Sequence, residues 1–153
     1  MINRGGGPPP VPMLWAEIIE EAEATADSFR DEGFSVHVLH PGDVTPLAEE
    51  QAFDVLLPGS EFETVKELIE RFDPEEVTVY TAQEGAFSYA VVVATDAASA
   101  IAICCPIFFE TVAGDSFTTD ADGASSIGLR LRPLDQSAHV VLTVDDATLL
   151  FGD

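Results

Sequence analysis

Apolar residues recur at helical spacing early in the chain: Leu14, Trp15, Ile18, Ile19, Ala22, Ala26 and Phe29, with Glu17, Glu20, Glu21, Glu23 and Asp27 between them. Pro12 suits the first turn of that helix and Gly33 its stop. Residues 34–39 then alternate with a period of two and include two valines, predicting a strand ended by Pro41-Gly42. Residues 43–52 are polar and predict a connection with one turn of helix after Thr45-Pro46. Residues 53–57 predict a short strand closed by Pro58-Gly59. Ser60-Glu61-Phe62-Glu63 has the form of a capping box, in which hydroxyl and carboxylate satisfy each other's backbone donors. Val65, Leu68, Ile69 and Phe72 continue it as the apolar stripe of a helix lying on a sheet, stopped by Asp73-Pro74.

The second half reads as β-rich. Residues 76–82, 86–95 and 99–105 predict three strands joined at Glu84-Gly85 and at Asp96-Ala97-Ala98, an antiparallel meander. Val91-Val92-Val93 and Ile101-Ala102-Ile103-Cys104-Cys105 are continuously apolar, as expected of central strands covered on both faces. Residues 110–123 are rich in Gly, Asp, Ser and Thr and predict a loop or a poor helix; residues 127–131 and 139–144 predict two closing strands, and 147–151 a further edge. The expected architecture is α+β, a mostly antiparallel sheet of five or six strands with two main helices packed on one face. It forms a single domain over residues 13–153 behind a flexible Gly/Pro-rich arm of residues 1–12.

Composition adds exclusions. Val, Ile, Leu and Phe supply 45 of 153 residues, well above the roughly 20% below which a highly charged chain stays unfolded. Asp and Glu number 28 against 6 Lys and Arg, a net charge of −22. Binding nucleic acid or an anionic membrane surface needs clustered cations, so both classes are set aside as direct partners. The longest apolar stretches are broken by Asp96 and Pro106, short of the roughly 18 residues that a membrane helix needs. No hydrophobic segment follows the cation at the N-terminus, so a cytoplasmic location is expected.

Few residues assemble into recognisable chemistry. His37 lies within a predicted strand, His40 at its end and His139 on a distant strand, with no CxxC, HxxxH or HExxH spacing. Isolated histidines are favoured over a His37–His139–carboxylate cluster. Cys104 and Cys105 point to opposite faces of one strand and read as small buried hydrophobes, since the cations that would lower a thiol pKa are scarce. The segment from Asp115 to Gly123 has a superficial likeness to a calcium loop. Setting Gly123 at the turn glycine leaves Thr118 and Leu129 at the first and twelfth positions, where acids are required. Gly59-Ser60 lacks the glycine pattern of a phosphate loop and puts Glu61 and Glu63 where an anion would sit. No GxSxG occurs. No catalytic, cofactor-binding or metal site is therefore expected, and the balance leans away from an enzyme.

The six cations carry more information than the acids. Lys66 has Glu63 and Glu70 at helical spacing, Arg71 has Glu67, Arg30 has Asp27, and Arg4 lies in the arm. Arg130 and Arg132 remain, two apart on one predicted strand and so projecting from one face. Two readings compete for them. One is a cross-strand ladder of ion pairs with neighbouring acids; the other is a docking face for an anion or carboxylate, with His37 as a further candidate. A concave pocket holding both arginines favours the second, and full pairing of both by local acids sinks it.

The excess of acid, the single lysine Lys66 and the abundance of Ala, Val, Asp and Glu resemble proteins of extremely halophilic archaea. In molar salt the Debye length is about 3 Å, so self-repulsion is screened and acids chiefly maintain hydration. The run from Met13-Leu14-Trp15 to Pro41-Gly42-Asp43-Val44-Thr45-Pro46, with Arg130-Leu131-Arg132-Pro133-Leu134, resembles a haloarchaeal family of small proteins of unknown function. That resemblance implies no catalytic residues. Three classes follow: a non-enzymatic binding or regulatory module adapted to high salt, with a protein partner or a homodimer contact; a small-anion binder or enzyme using Arg130 and Arg132; and, ranked last, an acidic mimic of nucleic acid.

Overall fold

The first apolar stripe forms α1 (Val11–Asp31), and Gly33, at φ +99°, supplies the left-handed turn that leads into β1 (Ser35–Val38). The computed structural model describes residues 11–117, 126–135 and 138–151. Most of the expected N-terminal arm and residues 118–123 of the calcium-like segment lie outside these. The chain continues through β2 (Asp43–Leu47), β3 (Ala52–Leu56), α2 (Gly59–Leu68), β4 (Glu76–Glu84), β5 (Phe87–Asp96), β6 (Ile101–Glu110) and α3 (Thr111–Gly114). It ends in β7 (Ile127–Arg132), β8 (Val140–Val144) and α4 (Thr148–Phe151).

The fold is α+β, but the single mostly antiparallel sheet is replaced by two four-stranded mixed sheets, ordered β1-β6-β5-β4 and β2-β3-β7-β8. The meander β4-β5-β6 forms as its turn signals predict. Each sheet also contains one parallel pair, β1 with β6 and β3 with β7, between strands distant in sequence. Alternation of apolar residues tells a strand which face to bury, not which partner to choose, and that is why the partition escaped the sequence. A further strand, β2, occupies the polar connection; Pro46 is tolerated there because β2 is an edge strand. Residues 148–151 are helix, not an edge, because Asp146 Oδ1 accepts hydrogen bonds from the Thr148 backbone N–H at 3.0 Å and from its hydroxyl at 2.6 Å.

The helices lie on opposite faces of the first sheet rather than together. Ala22 of α1 packs on Val91, Val93, Ala102 and Cys104, and Trp15 meets Phe108 at 5.2 Å between ring centroids. The opposite side chains of the same strands, Val92, Ala94, Ile103 and Cys105, face the core shared with Phe53, Val55, Leu129 and Leu131 of the second sheet and Phe62, Val65 and Leu68 of α2. Both faces of β5 and β6 are thus covered, which explains their unbroken apolar runs. Pro106 sits beyond the end of β1, whose last bond to β6 is Leu39 N–H to Cys104 O at 2.9 Å. Alternation aims its nitrogen at that unpaired side, so the missing N–H costs no ladder bond.

The second sheet covers the core with only one face. Along β7, Ile127, Leu129 and Leu131 are buried, while Gly128, Arg130 and Arg132 alternate outward.

Candidate functional site

The outward face of the second sheet holds a trough of about 650 Å³. Its shape follows from side-chain size at paired positions. Ala52 of β3 lies opposite Gly128 of β7, and Gly128 opposite Thr143 of β8, so this end of the face carries small residues. A Cβ on Gly128 would come within 3.3 Å of Val141 Cγ1, so glycine keeps this floor low. Glu50, Gln51 and Ser126 line the trough as well, together with Asp54, Arg130, Arg132, His139 and Val141.

Arg130 and Arg132 therefore line one concavity, and each has a carboxylate partner. Arg132 Nε donates to both Asp54 oxygens, at 2.9 and 2.8 Å, and its Nη1 donates to Pro133 O at 3.2 Å. Arg130 Nη1 lies 2.7 Å from one Glu50 oxygen. The two pairs differ in solvation: the Arg132 and Asp54 side chains are 19% and 23% exposed, those of Arg130 and Glu50 34% and 52%. The ion pairs of the ladder reading and the concavity of the docking reading occur together.

His37 is not brought to this trough. It lines a separate groove of about 340 Å³ with Val36, Val38, Leu39, Ser60, Glu61 and Thr64. Burial, with the Arg71 and Arg30 charges acting in the same direction, holds its imidazole below the ordinary range, so it is neutral at pH 7. Beside it, Glu61 accepts hydrogen bonds from the His40 backbone N–H at 2.6 Å and from His40 Nδ1 at 2.7 Å. The capping box of Ser60 and Glu63 is not made: α2 begins at Gly59, which puts Ser60 inside the helix, and no side chain caps it.

The cysteines are fully buried on opposite faces of β6, Cys104 under α1 and Cys105 between the sheets. Burial pushes the Cys104 thiol up to about 12 and raises that of Cys105 as well, the reverse of what a reactive thiolate requires. Among the described residues no group of three or more His, Cys, Asp or Glu is placed to hold a metal ion, and no helix is long and apolar enough to cross a membrane.

A family of unknown function, DUF7529, matches residues 11–152, nearly the whole chain. The chain belongs to the DUF7529 family. No curated protein and no solved structure matches it. Within this DUF7529 domain the sequence singled out the arginines but not their partners. Asp54, flanked by Phe53 and Val55 in an alternating strand, was legible as outward-facing. Its pairing with Arg132 depends on the parallel β3–β7 contact, for which the sequence holds no local signal.

Proposed function

We propose that the chain is a binding module of a salty cytoplasm that takes a small carboxylate in the trough of its second sheet. The observation that carries this reading is the unequal state of two arginines on one strand. Arg132 is clamped by both oxygens of Asp54 and further tied to Pro133 O, which fixes it as a positioning group. Arg130 meets a single oxygen of the half-exposed Glu50, and exposed pairs of this kind contribute only about 0–1 kcal/mol. Little pair energy therefore holds Arg130 to Glu50, and a ligand carboxylate that takes the guanidinium gains a charge-assisted contact. Ser126 and Thr143 on the lining offer hydroxyls, and Val141, 45% exposed, offers an apolar wall.

The acid excess fits the same setting. In molar salt the −22 charge is screened over about 3 Å, so the chain's field does not repel an anion from the trough.

Calorimetric titration with pentanoate in molar potassium chloride tests the reading. Saturable binding is expected, weakened about tenfold or more in Arg130→Gln, the equivalent of about 1.4 kcal/mol. Undiminished binding by that variant, or no binding by the wild-type chain, contradicts it.

A further inference from the structure

We infer that the carboxylate taken by the trough belongs to a zwitterion, an amino carboxylate whose ammonium group replaces Arg130 as the partner of Glu50. This deepens the carboxylate reading and rests on it. Arg130 and Arg132 are matched one for one by Glu50 and Asp54, so the four charges sum to zero. A simple anion that displaces Glu50 from Arg130 leaves one carboxylate unpartnered beside the incoming one. Like charges within a few ångströms oppose the exchange. A ligand carrying both signs removes that conflict: its carboxylate takes the guanidinium and its ammonium takes Glu50, so each charge exchanges one partner for another. A neutral zwitterion also approaches a chain of charge −22 without net repulsion at any salt concentration.

The trough has room for the rest of such a molecule. Ala52 and Gly128 leave the floor low, and Val141, which overhangs Gly128, gives a short aliphatic side chain an apolar contact. The ligand class is therefore a small aliphatic amino acid or a close analogue of one.

Three probes sharing one four-carbon alkyl chain test this: norvaline, pentanoate, which lacks the ammonium, and butylamine, which lacks the carboxylate. Each is titrated into the wild-type chain and into Glu50→Gln in molar potassium chloride, with circular dichroism confirming that the variant is folded. Norvaline is expected to bind at least tenfold more tightly than either partial probe, and Glu50→Gln to reduce it to the level of pentanoate. Pentanoate binding as well as norvaline, or an advantage of norvaline that survives in Glu50→Gln, overturns the zwitterion while leaving the carboxylate reading standing. Failure of both carboxylates to bind overturns the two together.

Discussion

Asp54 lies opposite Arg130 in the parallel β3–β7 register, yet its carboxylate is held by Arg132, two residues further along the strand, at 2.8 and 2.9 Å. This diagonal pairing turns Arg130 back toward Glu50, at the more exposed end of the trough. Neighbours at a diagonal on a sheet face are within reach of long side chains, and Arg132 uses that reach.

The two pairs should therefore couple unequally. A double-mutant cycle on Asp54 and Arg132 is expected to give about 1.5 kcal/mol, the lower end for hydrogen bonds to charged groups because both side chains keep some solvent. The same cycle on Glu50 and Arg130 is expected to stay within about 0–1 kcal/mol. Denaturant unfolding of the seven chains measures both, and equal couplings would show that the asymmetry is not energetic.

Acid should weaken the fold partly through Asp96. The Asp73 backbone N–H, aided by the Ser99 hydroxyl and the Ala98 N–H, holds its carboxyl below the usual carboxylate range. A depressed carboxyl stabilises the native state above its unfolded pKa of about 3.9, and that stabilisation is lost as pH falls through the folded value. Asp96→Asn is expected to be less stable at neutral pH and to lose less stability between about pH 5 and pH 2. Parallel pH curves for the two chains would contradict this role.

Both thiols should be silent in the native protein. With Cys104 pushed up to about 12 and both sulfurs fully buried, an aromatic disulfide reagent at pH 8 is expected to label neither cysteine until the chain unfolds, and then both. Rapid labelling of either one in the folded state would mean that β6 opens locally.

Phe53 joins the second sheet to the chain's later segments. It stacks on Phe117 at 5.1 Å between centroids and meets Phe109 at 5.2 Å, while Phe117 stacks on Phe151 at 4.8 Å. Phe53→Ala is expected to cost about 3–5 kcal/mol in denaturant unfolding, as a large cavity in an aromatic cluster does. A loss below 1 kcal/mol would mean that the cluster closes over the gap.

Local signals and long-range pairings fared differently in the sequence. The α1 stripe, the Gly33 stop and the β4–β6 meander were legible because each rests on neighbours a few residues apart. The partition into two sheets was not, because β1 joins β6 and β3 joins β7 across long stretches of chain. The pair Ser60 and Glu63 shows the same limit: its spacing fitted a helix cap, but α2 starts one residue earlier, at Gly59, and no side chain caps it. In the candidate site the arginines stood out by being rare, while Glu50 and Asp54 were hidden among 28 acids.

Backbone amide chemical-shift mapping during a pentanoate titration in molar potassium chloride tests the trough most directly. Saturable shifts are expected at Gly128, Arg130, Val141 and Thr143, their midpoint moved about tenfold or more higher in Arg130→Gln. No saturable shift, or shifts confined to the groove of His37 and Glu61, would contradict the assignment of the ligand site to the second sheet.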